Sequence, residues 1–381
     1  MKALPVRRLS GVLSLVAGEL RDRFGLTRLA IGGSSAPALL DHLFTGSALR
    51  MRDFDLIALA DRPVDQQLVC DIGQALEGDE LRFLPRYIYP RMRAREDQQL
   101  WTAGWGVLWD SGGMEVDLSV FHDASALSLN GLMNVDRILV PFSAETSLNE
   151  VAARMLVAGN AEHALAEGLF EDPWGGYASW VRRSPVIIAW NAIHCAPIEC
   201  AIRIVRAAAN KLHLNHLNPE MADPLRAAVL FGHERGERFL RVRTLVKLFH
   251  DDRAGAELEM LYDLGVFEHW LPEVGEAIER VGEGGLVTLF ANADRESRTD
   301  MQHHEAFAEA GQQGGDEVSA VRIEALLLQM SPTKRDRVLE EIAIAEPLFA
   351  TLVRNQIPRV AARRAPRSGA RISGRHRALR A

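Results

Sequence analysis

Two short stretches of the sequence decide the fold of the first third of the chain. Residues 31–35 read Ile-Gly-Gly-Ser-Ser, and residues 52–56 read Arg-Asp-Phe-Asp-Leu. Residues 26–31 predict a short strand that ends at the two glycines. Residues 36–44 show helical spacing, with Pro37 in the first turn, where its missing N–H group is harmless. The glycines therefore lie at a turn between a strand and a helix.

Asp53 and Asp55 are predicted to share one face of a second strand. Residues 52–59 alternate between apolar and polar in the manner of a strand. Successive side chains on a strand point to opposite faces, so the two carboxylates face the same way while Phe54 turns into the core. This is the arrangement expected of a site on the surface of a sheet.

A third carboxylate, that of Asp117, is predicted on another strand of this sheet. Residues 114–121 alternate in the same way and follow a Ser-Gly-Gly turn, which predicts a hairpin with residues 105–109. Carboxylate oxygens are preferred ligands of Mg²⁺, and two such ions can hold the attacking and the leaving oxygen of a phosphoryl displacement. We therefore expect Asp53, Asp55 and Asp117 to bind two Mg²⁺ ions.

The glycine turn predicts a site for phosphates. Glycine lets backbone N–H groups approach a phosphate closely, and the N-terminus of a helix carries a partial positive charge. We expect Gly32, Gly33 and Ser34 to hold the triphosphate of a nucleotide. The order of strand, Gly-Gly-Ser, helix, Asp-x-Asp and a later strand with Val-Asp-Leu resembles the polymerase-β-like nucleotidyltransferases. The alternative is an ordinary surface turn followed by solvent-facing acids.

The rest of the chain has the pattern of helices. From about residue 147, apolar residues recur at three- and four-residue spacing between turn-type clusters. Residues 294–317 are polar and predict a loop. The expected fold class is α+β, with a small mixed-sheet nucleotidyltransferase head at 1–142 followed by an all-helical neck at 143–212 and body at 213–345.

Charge is distributed unevenly along the chain. The 381 residues have a formal net charge of −7, yet residues 354–381 contain nine arginines and no acidic residue. Residues 346–381 are therefore predicted to form a flexible basic tail, which either binds the phosphates of nucleic acid or is a solvated terminus. Three cysteines form no disulfide framework, and no stretch is apolar enough to span a membrane, so we expect a cytoplasmic protein.

Three further motifs resemble those of tRNA CCA-adding enzymes and bacterial poly(A) polymerases. Residues 127–132 read Leu-Ser-Leu-Asn-Gly-Leu and are similar to the family's Phe-Thr-Ile-Asn-Ala-Leu. Residues 172–176 read Asp-Pro-Trp-Gly-Gly and match its Asp-Pro-x-Gly-Gly hinge. Residues 199–207 read Glu-Cys-Ala-Ile-Arg-Ile-Val-Arg-Ala and resemble its Glu-Asp-Pro-Leu-Arg-Ile-Leu-Arg-Ala stretch. The resemblance runs in order from about residue 26 to residue 274.

The resemblance implies an enzyme that transfers a nucleoside monophosphate from ATP or CTP to the 3′-hydroxyl of an RNA, with tRNA among the acceptors. It also implies four residues that contact the sugar, the base or the phosphates of the nucleotide, namely Asn130, Glu199, Arg203 and Arg206. Cys200 stands where the family has a base-reading Asp. Because a thiol offers almost no hydrogen bonds to a base, we expect weak selection among nucleotides.

Three classes of function stay open at this point. An RNA 3′-end nucleotidyltransferase is favoured by the helical neck and the basic tail. A nucleotidyltransferase redirected to a small molecule or a protein is favoured by Cys200 and by the acidic remainder of the chain. A non-catalytic RNA-binding relative is disfavoured because all three carboxylates are present. The oligomeric state is left open by the sequence.

Overall fold

A mixed sheet of seven strands organises the first part of the protein. In chain order the strands are β1 Arg28–Ile31, β2 Asp53–Leu59, β3 Arg82–Phe83, β4 Tyr89–Glu96, β5 Gln99–Asp110, β6 Glu115–Phe121 and β7 Val140–Phe142. Their spatial order is β3-β5-β6-β2-β1-β7, and β4 pairs with β5 beside this path. Strands β2 and β6 run parallel, and the other pairs are antiparallel. The sheet therefore has β2 and β6 side by side at its centre.

Helices make up most of the rest of the chain. In chain order they are α1 Val6–Phe24, α2 Ser35–Thr45, α3 Gln66–Ala75, α4 Leu148–Ala158, α5 Ala161–Ala166, α6 Gly176–Arg182, α7 Trp190–Cys195, α8 Pro197–Asn210, α9 Pro219–Glu234, α10 Ala254–Asp263, α11 Pro272–Val281, α12 Gly285–Gln302, α13 Gln313–Leu327 and α14 Pro332–Ala345. A 3₁₀ turn spans Asn134–Arg137. No described helix is long and apolar enough to cross a lipid bilayer.

The computed structural model describes most of the chain. The described residues are 6–49, 53–79, 81–84, 88–96, 99–111, 114–122, 131–235, 248–249, 251–268, 270–302, 313–345, 350 and 353. Contacts divide the chain into two compact units, Met1–Glu237 and Arg238–Ala381. The sheet with its helices confirms the α+β class predicted from the sequence. The finer division into head, neck, body and tail stays a prediction, and residues 354–381 of the tail lie outside the described residues.

One face of the sheet carries the main core of the first unit. Phe54, Val116 and Trp109 come from three neighbouring strands and are fully buried in a single apolar cluster. Helices α1 and α2 contribute Leu13 and Leu39 to the same cluster. Burial of this face fixes which side chains of β2 and β6 must lie on the opposite face, because neighbours along a strand alternate. The alternation predicted around Phe54 is thereby confirmed.

The loop predicted at residues 294–317 is wrong in its described part. Helix α12 continues to Gln302, and α13 begins at Gln313. Asp294, one of the polar residues of this stretch, forms a partly buried ion pair. Arg322 on α13 donates to both carboxylate oxygens of Asp294 on α12, at 2.9 and 2.8 Å. Because Arg322 comes 28 residues later in the chain, the polar character of Asp294 alone gave no sign of this pairing.

The guanidinium of Arg322 also donates hydrogen bonds to two backbone carbonyl groups. Its Nη1 donates to the carbonyl oxygens of Phe249 and Asp251, at 2.9 and 2.6 Å. The side chain of Arg322 is only 8% exposed. Charged groups are rarely buried unless they are paired, and a buried charge that loses its partner is strongly destabilising. Arg322 therefore links α12, α13 and residues 249–251 through polar contacts.

We expect Arg322→Met to lower the free energy of unfolding of the full chain by about 3 kcal/mol, because Asp294 loses its partner and two carbonyls lose their donor. The double variant Arg322→Met with Asp294→Leu should recover part of this loss. Glu340→Met, which also removes a charge at an exposed position of a described helix, is the control and should change stability by less than about 0.5 kcal/mol. Urea unfolding of the four proteins measures these differences. Equal stability of Arg322→Met and Glu340→Met would contradict the assigned role.

Candidate functional site

The register of β2 and β6 brings the predicted carboxylates together. Asp55 is paired with Asp117, and Asp53 is paired with Glu115. Paired residues on neighbouring strands point to the same face, and the strands lie about 4.8 Å apart. The three aspartates are partly exposed, whereas Phe54 between them is buried. Two strands therefore present a row of acidic side chains on the face opposite the main core.

The same face of the sheet becomes apolar one step further along the strands. Ile57 and Phe121 form a second, small buried cluster, with Leu59 and Leu139 packed against it. The acidic residues thus occupy only the first part of β2 and β6. This placement leaves the acids partly exposed to solvent, with a small apolar cluster beside them on the same face. Carboxylates that are open to solvent in this way can bind a hard cation.

The turn between β1 and α2 is tied to Asp55 by three hydrogen bonds. Gly32 N–H donates to the backbone carbonyl of Asp55 at 3.1 Å. Ser34 N–H donates to Asp55 Oδ2 at 3.2 Å, and Asp55 N–H donates to Ser35 Oγ at 2.9 Å. Two of the N–H groups that the sequence assigned to phosphates therefore serve Asp55 in this structure. The turn and the acidic row form one continuous site.

Gly33 makes this close approach possible. Its φ of +53° lies in the left-handed region, which side chains other than glycine's rarely adopt. A Cβ atom on Gly33 would also overlap the carboxylate of Asp55. Both the backbone conformation and the space therefore require glycine here. The sequence predicted the position of this glycine, but not that its neighbour would be a carboxylate.

The residue types at this site fit Mg²⁺. Asp53, Asp55 and Asp117 supply only hard oxygen donors, and they stand on two adjacent strands. Among the described residues, no three Asp, Glu, His or Cys side chains already stand close enough to enclose a metal ion. Ser34 N–H holds the Asp55 carboxylate in this arrangement. The three predicted ligands therefore have the oxygen donors that Mg²⁺ prefers. Their binding of metal stays a prediction.

Asp110 is an acidic residue of this face that the sequence analysis missed. In the antiparallel pairing of β5 with β6, Asp110 is opposite Glu115, which is in turn paired with Asp53. Its neighbour Trp109 is buried in the main core, so Asp110 lies on the acidic face. The predicted hairpin ended at residue 109, one residue before Asp110, so its strand was too short to include this carboxylate.

Asn130 lies outside the described residues, but its neighbour in the chain is fixed. The guanidinium of Arg137 donates to the carbonyl oxygen of Gly131 from Nε at 3.3 Å and from Nη2 at 3.0 Å. Burial lowers the pKa of Arg137, and the charge of Asp136 opposes this effect. Arg137 therefore anchors the backbone immediately after Asn130, a role for which the sequence gave no signal.

The predicted nucleotide-contacting residues of the neck lie on α8. Glu199 and Arg203 are exposed and Arg206 is half-buried, and their spacing of four and three residues puts them on one side of the helix. Cys200 is on the buried side, where its thiol lies 3.5 Å from the carbonyl oxygen of Ala192. Cys200 therefore faces the protein interior, and only the polar side of α8 is open to a ligand.

The stretch at 172–176, which the resemblance implies to be a hinge, forms a hydrogen-bonded corner at the start of α6. The carboxylate of Asp172 accepts hydrogen bonds from Gly176 N–H at 2.6 Å and from Tyr177 N–H at 2.9 Å. Gly175 has a φ of +64°, and a Cβ atom on Gly176 would overlap the carbonyl oxygen of Asn134. The structure therefore explains the Asp and both glycines of this motif. They form the start of α6 and let the helix pack closely against the 3₁₀ turn.

Tyr177 is a packing residue of this corner. Its ring makes edge-to-face contacts with Phe44 and Phe170, with centroids 6.2 and 6.4 Å away. Burial, together with the charge of Asp41, raises the pKa of Tyr177 to about 12. A phenol that is this well packed is not available to stack on another molecule. Tyr177 therefore serves packing within the protein.

We expect Gly33→Ala to weaken Mn²⁺ binding about tenfold, as a disturbed neighbour of a metal ligand commonly does, because the new methyl group displaces the Asp55 carboxylate. Gly46→Ala is the matched control. Gly46 also has a positive φ, of +71°, but no described atom lies within 4 Å of its Cβ position. Both variants should lose about 1–2 kcal/mol of stability from the left-handed backbone. Titration with Mn²⁺ separates them, and equal affinities would contradict the contact with Asp55.

Solved structures of tRNA-processing enzymes share this fold. One, described as a tRNA-processing enzyme in an apo form, is 13% identical with a TM-score of 0.51, over 91% of this chain and 82% of its own. A tRNA-processing enzyme complex and a tRNA-processing enzyme with CTP are each 14% identical with a TM-score of 0.51, over 91% of this chain and 78% and 79% of theirs. No protein-family model and no curated protein matches the chain. At this identity the likeness shows the fold.

Proposed function

We propose that the protein is a Mg²⁺-dependent nucleotidyltransferase that transfers a nucleoside monophosphate from ATP or CTP to the 3′-hydroxyl of an RNA and releases pyrophosphate. The observation that carries this proposal is the parallel register that places Asp55 beside Asp117, directly behind the turn at Gly33. A fold shared with tRNA-processing enzymes, one of them solved with CTP, supports it. The chemistry and the fold thus favour the same class of reaction.

The acidic row would hold the metal ions. Asp53 and Asp55 would bind both Mg²⁺ ions, and Asp117 would bind the ion beside the attacking hydroxyl. When bound, the two ions lower the pKa of that hydroxyl and neutralise charge that develops on the phosphate oxygens. Ser34 N–H, which donates to Asp55 in this structure, would turn to the triphosphate once a cation holds that carboxylate.

The remaining predicted residues would position the nucleotide. Gly32 and Gly33 would let the backbone approach the triphosphate, with the positive end of α2 beside it. Other contacts to the sugar, base and phosphates would come from Asn130, Glu199, Arg203 and Arg206. Because Cys200 is turned into the interior, base recognition would rely on the two arginines and the glutamate. Selection between ATP and CTP is therefore expected to be weak.

RNA is the acceptor that the observations favour. The basic segment at 354–381 would attract a polyanion to a chain whose net charge is negative. A second candidate is transfer to a small molecule or a protein, and the specific observation in its favour is the buried Cys200, which removes a base-reading group. A non-catalytic RNA-binding relative is the third, and it conflicts with the retention of all three aspartates.

We expect Asp55→Asn and Asp117→Asn each to reduce the rate of nucleotide transfer roughly a thousandfold. Each variant lacks one proposed metal ligand, and bound metal ions stabilise the transition state by several kcal/mol. Both aspartates are only partly buried, so the folded structure should persist. Asp61→Asn is the control: the same chemical change just beyond β2, at an exposed residue, should leave transfer unchanged.

The assay incubates the full chain with each labelled NTP and Mg²⁺, with and without total RNA. Label that enters RNA and depends on Asp55 and Asp117 supports the proposal. Label that enters protein or small molecules favours the second candidate. Transfer that survives in both aspartate variants would show that the metal site is assigned wrongly.

A further inference from the structure

Trp174 has the largest side chain of the 172–176 corner, and this side chain is 57% exposed. Asp172 and the two glycines shape the corner, as described above. An exposed apolar side chain is informative where other apolar or charged side chains accompany it on a contact surface. Indole rings are enriched at such surfaces, because they combine a large apolar face with a polar N–H group. The corner therefore presents an indole ring to solvent.

Asn134 fixes the surface around this ring. Its side-chain nitrogen donates to the carbonyl oxygen of Trp174 at 3.3 Å and to Ser179 Oγ at 2.8 Å. Its side-chain oxygen accepts from Val186 N–H at 2.9 Å. One buried amide thus draws three segments together. Trp174 and Val186 are therefore held near each other at the backbone, and both side chains are exposed, at 57% and 54%.

Two arginines lie on the segment between Ser179 and Val186. Arg182 and Arg183 are both exposed, whereas Asp172 and the exposed Glu171 precede Trp174 in the chain. Arg183 is the left-handed C-cap of α6, with a φ of +53°. The segment that follows Trp174 therefore offers two cationic side chains to solvent.

We propose that Trp174, Arg182 and Arg183 form a docking platform for single-stranded RNA. The inference rests on the proposed function, because RNA is the acceptor proposed there, and it names the surface that receives that acceptor. An exposed indole stacks on any base, and neighbouring arginines bind the phosphates between bases. An aromatic ring together with cationic side chains is complementary to the bases and the phosphates of RNA.

The test is binding of a labelled single-stranded RNA of about 12 nucleotides, the order of length such sites cover, to the full chain in EDTA without NTP. We expect Trp174→Ala to bind about tenfold more weakly, since stacking of one base is lost. Trp174→Phe should keep most of the affinity because a phenyl ring also stacks. RNA that is fully duplex has its bases occupied and should not depend on Trp174.

Arg183→Gly separates a binding role from a structural one. The substitution should make the dependence of log affinity on log salt shallower by about 0.7, the value for one charge on a single strand. It should raise the melting temperature, because glycine adopts the left-handed backbone freely. Arg154→Ala, at an exposed position on α4, is the control and should leave the salt dependence unchanged.

The outcomes distinguish this proposal from the proposed function. Wild-type affinity and salt dependence in both Trp174→Ala and Arg183→Gly, or no RNA binding by the wild-type chain, would overturn the platform. An equal loss of duplex binding in Trp174→Ala would also overturn it, since stacking would not be the cause. If RNA binding depends on Trp174 but the wild-type chain transfers no nucleotide, the platform stands and the proposed function fails.

Discussion

Strands β2 and β6 lie side by side and run in the same direction, although α3 and three other strands come between them in the chain. Parallel neighbours need a long connection, and here that connection supplies β5, which covers the other edge of β6. The pairing sets Asp55 beside Asp117 and buries Phe54 beneath them. A slip of β2 by one residue would turn Asp53 and Asp55 toward the core and separate them from Asp117. The candidate site therefore depends on the apolar packing below it.

The acidic row has an electrostatic cost that the surrounding turn reduces. Carboxylates on adjacent strands repel one another, so each ionised group favours a hydrogen-bond donor or a cation nearby. The Ser34 N–H group meets this need for Asp55, and the glycine at 33 lets the turn come close enough to do so. The turn thus links the place where a triphosphate would bind with the place where a cation would bind. The turn at 32–34 and strand β2 would therefore supply both the triphosphate contacts and part of the cation site.

The sequence predicted the parts of the structure that depend on local pattern. Alternation around Phe54 identified the acidic face, and the Gly-Gly-Ser turn located the strand-to-helix junction. Helix α3 and strands β3 and β4 were not predicted, although Asp65 accepts from Leu68 N–H as a helix cap and provides a signal for α3. The error at Asp294 had another cause, because its partner Arg322 is distant in sequence. Contacts between distant residues decide such cases, and a single sequence does not show them.

Asp53, Asp55 and Asp117 are proposed to form a divalent-cation site behind the turn at Gly33. The most direct measurement is a crystal structure of the full chain with Mn²⁺ and a non-hydrolysable NTP, in which anomalous scattering locates the metal. We expect anomalous peaks about 2–2.5 Å from carboxylate oxygens of all three aspartates, with the triphosphate against the turn at 32–34. Metal bound elsewhere, or a nucleotide bound with no metal at these aspartates, would contradict the proposed site.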